Sequence, residues 1–113
     1  ARDFHSILMS APKRRLIIAP EARKDLRDIL RFTARRWGKQ QRAVYKAKLD
    51  AGMHGLLTFP DRGHPRDHLS PGMRALLVEA HVVYYQSDDR AVTVLRILHG
   101  QLDAAEHLAP SSH

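Results

Sequence analysis

AVTVLRILHG, residues 91–100, is a run of β-branched and apolar side chains closed by His99-Gly100. That composition predicts a strand buried on at least one face and lying within a sheet. Strict alternation places Thr93, Leu95 and Ile97 on one face and Val92, Val94, Arg96 and Leu98 on the other. A guanidinium left unpaired among valines is costly. Arg96 therefore either lays its stem along a rim or meets an acidic partner.

Working back from this strand, Ser87-Asp88-Asp89-Arg90 is a turn, His81 to Gln86 a second strand and Arg74 to Glu79 a third. Short connections make the three an antiparallel meander. Arg15 to Ala19 is a separate, N-terminal strand that joins the same sheet to cover an edge. Between it and the meander lie two helical patterns. Pro20-Glu21 opens the first, and Ala22, Leu26, Ile29, Leu30, Thr33 and Trp37 form its buried stripe up to Gly38. Asp25 and Asp28 lie within reach of Lys24 or Arg31 as pairs along the helix. The second pattern covers about residues 39–58, with Tyr45, Leu49, Met53 and Leu56 in step. Its Gly52 and Gly55 either admit a close neighbour or mark a bend. Residues 60–73 are turn-rich, and an ordered loop of that length packs on something.

The architecture expected is α+β: an N-terminal strand, an antiparallel helical hairpin on one face of a small, mostly antiparallel four-stranded sheet, and a short C-terminal helical tail. Helices cover only one side, so the far face is left apolar and bare, a docking surface. Residues 1–13 read as a leader or extension, with Met9 a candidate native start. Residues 14–108 form one domain and 109–113 a tail.

Charge is uneven. The chain of 113 residues has a net charge of +7, yet residues 13–48 alone carry 13 Lys/Arg against 3 Asp/Glu. Such a surface suits nucleic acid, ribosome or an acidic protein, or simply keeps a hairpin solvated. The absence of cysteine excludes disulfide and thiolate chemistry and fits a reducing cytoplasm. No apolar run has the length of a membrane span.

Candidate chemistry is sparse. His64 and His68 are four apart, but Pro65 and a loop context separate them, and no third metal ligand is evident. No glycine-rich phosphate loop or nucleophile elbow is present. His99, near Arg96 and Asp103, reads as a strand-end structural residue, with general acid/base chemistry as the alternative. Trp37 reads as core by its place on the stripe; otherwise it anchors a partner or stacks on a base. Tyr84 and Tyr85 point to opposite faces, so only one is core.

Several segments then align with a known pattern. They are Arg36-Trp37-Gly38; Phe59-Pro60 leading to Gly63-His64-Pro65-Arg66-Asp67; Leu69-Ser70-Pro71-Gly72-Met73-Arg74; His81-Val82-Val83-Tyr84-Tyr85; and Leu95-Arg96-Ile97-Leu98-His99-Gly100 followed by Asp103. In this order the chain resembles the ParE branch of the RelE/ParE toxin superfamily over about residues 14–108. The resemblance implies a cytoplasmic toxin of a type II toxin-antitoxin, plasmid-stabilisation type of module. It would bind a ParD-like antitoxin in a hetero-oligomer and inhibit DNA gyrase, meeting DNA only indirectly, with no cofactor and no catalytic residue. Antitoxin contact is assigned to Trp37, Arg74, Tyr84 and Arg96, and the gyrase effect to the tail residues Asp103, His107 and Leu108. The alternatives are a ribosome-dependent mRNA endoribonuclease of the RelE type and a basic DNA-binding module. The nuclease places basic residues after the last strand, where this chain has Gln101-Leu102.

Overall fold

The computed structural model describes residues 14–101 together with Ala104 and Leu108. The leader expected over residues 1–13, the tail residues Asp103 and His107, and residues 109–113 lie outside the described residues. The elements run β1 (Arg15–Ile18), α1 (Pro20–Trp37), α2 (Lys39–Thr58), β2 (His64–Pro65), β3 (Arg74–Val78), β4 (His81–Ser87) and β5 (Ala91–His99). One sheet holds all five strands in the order β1-β5-β4-β3-β2. β1 runs parallel to β5, and the remaining neighbours are antiparallel. The sheet therefore has five strands rather than four. The extra one is a two-residue edge in which His64 pairs with Ala75 and Pro65 with Arg74. Proline has no N–H to give, so such a piece sits only at a sheet margin.

Local chemistry accounts for the hairpin. Pro20 occupies the first turn of α1, where its missing N–H costs nothing, and Glu21 faces the positive end of the helix dipole. Gly38 adopts φ +96°, donates its N–H to the Ala34 carbonyl and begins α2 at once. α2 then runs unbroken through both of its glycines. A Cβ on Gly52 would lie 2.8 Å from a Val78 methyl, so close approach to β3, not a bend, is what the glycine permits.

The main core lies between helices and sheet: Ala22, Leu49, Met53 and Leu56 against Val83, Tyr85, Val92, Val94 and Ile97. Ile97 belongs there because β5 does not alternate strictly. A register shift sets Tyr84 opposite Arg96 but Tyr85 opposite Val94, and the extra residue, Leu95, turns the strand over. Leu98, expected beside Val92 and Val94, instead joins Tyr84 on the far face.

That far face is not bare. Leu69 and Met73, from the loop between β2 and β3, bury Ala75, Tyr84 and Leu98, and Leu95, Ala104 and Leu108 pack at the margin. The loop holds its shape through Arg66 N–H to the Met73 carbonyl and Gly72 N–H to Asp67 Oδ1. The chain folds over its own apolar surface, which the sequence expectation reserved for a partner.

A polar contact adds to the core in holding α1 on the sheet. β1 pairs with Ala91–Val94 and stops, and the Ala19 N–H reaches the Val94 carbonyl as the chain turns into α1. The next outward amide of β5, on Ile97, donates to Asp25 Oδ2 at 2.9 Å. The same carboxylate accepts from Arg96 Nε at 2.8 Å and Nη2 at 3.0 Å, and Glu21 approaches Nη1 at 3.5 Å. Asp25 is thus not the intrahelical partner expected; Asp28 alone meets Lys24 and Arg31. The Arg96 and Asp25 side chains are only 18% and 13% exposed. Truncating either leaves the other largely buried without its partner. Arg96→Ala and Asp25→Ala should each cost about 3 kcal/mol in urea unfolding, and the double variant much less than the sum. Losses no larger than those of an exposed pair would mean that the contact does not anchor the helix.

Candidate functional site

The α1 residues that join the main core are Ala22, Leu26 and Ile29, all from its first three turns. The stripe then runs past the core, so Trp37 at the helix end is 62% exposed, not buried as its spacing suggested. Phe32 lies off the stripe altogether and is 66% exposed. These two rings wall a groove of about 560 Å³ between the hairpin and the sheet end. Its remaining lining comes from Thr33, Gln41 and Tyr45 of the helices, Ala80 of the β3–β4 turn, and His81 and His99.

The two histidines meet because they face each other across β4 and β5, their rings edge-to-face at 5.4 Å. Tyr45 packs against His81 in the same manner at 5.5 Å, with its Oη 2.6 Å from His81 Nδ1. The Ala80 N–H donates to that same Oη, so the phenol bridges the turn amide and the imidazole. Burial, and the neighbouring His99, hold the His81 pKa below the ordinary imidazole value. Burial raises the Tyr45 pKa, opposed by the Ala80 hydrogen bond. His99 is likewise committed, its Nδ1 accepting the Gln101 N–H.

A second groove, of about 390 Å³, shares Phe32, His81 and His99 and continues along β5 to Asp28 and Arg96. Since β1 ends opposite Val94, this groove follows the part of β5 that has no strand on the side away from β4. Together the two form a long cleft, walled by aromatic rings at the Trp37 end and by charged side chains, Lys24, Asp25, Asp28 and Arg96, at the other. It can seat bulky side chains and accept a hydrogen bond at its ends.

The residues singled out for antitoxin contact fall in different places. Trp37 is open to solvent in the cleft. Arg74 clamps the turn after α2, donating through Nη1 to the Asp61 and Gly63 carbonyls. Tyr84 is buried under Leu69 and Met73, and Arg96 is held by Asp25. Both tyrosines are buried, one on each face of the sheet, so the expectation that only one is core does not hold; Tyr85 lies in the main core. Its hydroxyl bonds the Pro60 carbonyl and receives the Gly63 N–H, in a space a Cβ on Gly63 would fill. Of the tail residues, Leu108 packs on the far-face cluster, and Asp103 and His107 are not described. Sequence reasoning missed Phe32, Tyr45 and His81 as cleft residues. The usable signal was Phe32, a large aromatic between Arg31 and Arg35, out of phase with the stripe.

Comparison with known proteins gives a consistent result. Residues 16–103 match the family model described as the ParE toxin of the type II toxin-antitoxin system parDE. A toxin named ParE1 from Caulobacter vibrioides is 34% identical over 91 residues, which is 80% of this chain and 94% of that protein. Toxin ParE of Escherichia coli is 34% identical over 94 residues, 82% of this chain and 91% of that protein. Among solved structures, a chromosomal ParDE system from P. aeruginosa has a chain that superposes with a TM-score of 0.67 at 19% identity. The match covers 77% of this chain and 96% of that one, and it shows the shared fold.

The cleft carries its own pH signature. His81 binds its proton less readily folded than unfolded, so between the two pKa values the unfolded chain holds more protons. Stability from His81 is complete above the unfolded value of about 6.5 and falls as the pH drops through the folded one. Urea midpoints should decline from pH 7.5 to 5.5, and His81→Gln should flatten the decline. An unchanged pH profile in that variant would assign the loss to other groups.

Proposed function

The chain belongs to the ParE toxin family of type II toxin-antitoxin systems, and from that premise we propose how it acts. It binds a ParD-like antitoxin through the Phe32–Trp37 cleft and, when released, inhibits DNA gyrase in the cytoplasm without chemical turnover of its own. The cleft carries the antitoxin part of the reading. Two large aromatic rings more than half exposed, beside a concave apolar wall, form the kind of surface that proteins keep for partners. Of the four candidate contacts, Trp37 is the direct anchor. Arg74 and Tyr84 act through the loops they hold, and Arg96 through α1.

The choice of gyrase over messenger RNA rests on the end of β5. Cleavage of a phosphodiester needs cationic or acidic groups at the developing charge. The segment that follows β5 begins Gly100-Gln101-Leu102, with no cation. The tail of Asp103, His107 and Leu108 is proposed as the part that acts on gyrase.

Two assays run side by side test this. Purified protein should block supercoiling by gyrase and leave in vitro translation untouched, and stoichiometric antitoxin should restore supercoiling. Inhibition of translation alone would move the protein to the ribosome-dependent nucleases. Trp37→Ala should weaken antitoxin capture about tenfold or more and keep the gyrase effect; capture at full strength would remove Trp37 from the interface.

A further inference from the structure

Residues 29–49 contain seven Lys/Arg and no Asp/Glu, and they form the tip of the helical hairpin. Three of these cations have acidic partners: Arg31 meets Asp28, Lys46 meets Asp50 and Lys48 meets Glu79. Among the described residues Arg35, Arg36, Lys39 and Arg42 pair with none, and all four are exposed. Lys39 and Arg42 also lie in the first turn or so of α2, whose first turn has no acidic residue. Cations there oppose the positive end of the helix dipole, a local cost that no acidic side chain among the described residues offsets. The Arg36 guanidinium lies 4.3 Å from the centre of the Trp37 ring, so the tip presents a flat stacked face beside its charges.

We propose that this tip binds an unpaired nucleic-acid strand, with phosphates on Arg35, Lys39 and Arg42 and a base stacked at Trp37. The reading is independent of antitoxin and gyrase. Uncompensated cations select a polyanion, and the exposed aromatic layer favours an unstacked base over the edge of a closed duplex. An acidic protein segment would satisfy the charges but has no use for the flat face. Because Trp37 lies at the junction of tip and cleft, a strand at the tip and a partner in the cleft compete for it.

The chain has a single tryptophan, so its fluorescence reports this position alone. The full chain is titrated with short oligothymidylate, following Trp37 emission and, separately, the anisotropy of labelled strand. Quenching is expected, with affinity falling about 20-fold between 50 and 200 mM salt, as about three phosphate contacts on a single strand require. The variant carrying Arg35→Ala, Lys39→Ala and Arg42→Ala, checked for native circular dichroism, should lose most of that salt dependence. Trp37→Ala should keep the salt dependence and bind several-fold more weakly by anisotropy. Oligouridylate run alongside separates RNA from DNA as the preferred strand. The proposal is overturned by absence of binding at 50 mM salt, by an unaltered triple variant, or by equal quenching with a duplex. Displacement of the strand by polyglutamate at equal charge concentration would overturn it in favour of an acidic protein partner.

Discussion

Beside the apolar core, one carboxylate ties the first helix to the open margin of the sheet. Asp25 accepts two hydrogen bonds from the Arg96 guanidinium and one from the Ile97 amide, so one side chain of α1 closes the open margin of β5. The arrangement answers two costs at once. A strand amide left without a partner where β1 ends is expensive, and so is an arginine carried on a mostly apolar strand. Neither group is solved by the sheet itself, because β1 is only four residues long and turns away at Pro20. Bonding to Asp25 and the nearby Glu21 holds the Arg96 guanidinium still more firmly protonated, against the opposing effect of burial. A well-packed hydrophobic pair often equals a buried ion pair in stability, but no apolar side chain could accept the Ile97 N–H. The carboxylate thereby sets the position of α1 along β5, and the cleft beside Phe32 follows from that position.

Much of this was legible in the residues. The helix limits at Pro20 and Gly38, the second helix to residue 58, the meander and the N-terminal strand all follow from periodicity and turn chemistry, and the α+β class follows from them. Two features were hidden for physical reasons. The bulge at Leu95 leaves no mark in composition, yet it exchanges Ile97 for Leu98 on the helix side. A two-residue strand such as His64–Pro65 has no period to detect. Asp25 was visible as an acid in a basic helix, but local spacing assigned it to Lys24 or Arg31; only tertiary placement sends it across to β5.

The site was less legible than the fold, and the reason lies in what each face meets. Spacing says that Trp37 shares a direction with Leu26 and Leu30. It cannot say that the sheet has ended before the helix does. The far face shows the opposite error. Its apolar residues read as uncovered, while Leu69 and Met73 lie in a turn-rich segment whose length implies packing but not the surface it packs on. Loops that cover apolar surface do so through isolated side chains, and isolated side chains carry no pattern.

These two displacements, taken together, move the candidate partner surface from the sheet to the hairpin. A sheet face offers an extended, flat area. The hairpin offers a narrow cleft walled by Phe32 and Trp37 and flanked by four cations that have no acidic partner among the described residues. Charge draws an anionic partner in from a distance, within a Debye length or so, while only contact with the rings and with the His81–Tyr45 pair tests its shape. Attraction and fit thus reside in adjacent but separate residues. Removing tip charge should alter how fast partners arrive, whereas removing a ring should alter how long they stay. Arg36 belongs to both sets, since its guanidinium is spent on the Trp37 face. That stacking couples arrival to residence and places the working centre of the surface at the one turn, Trp37-Gly38-Lys39, where the two helices meet.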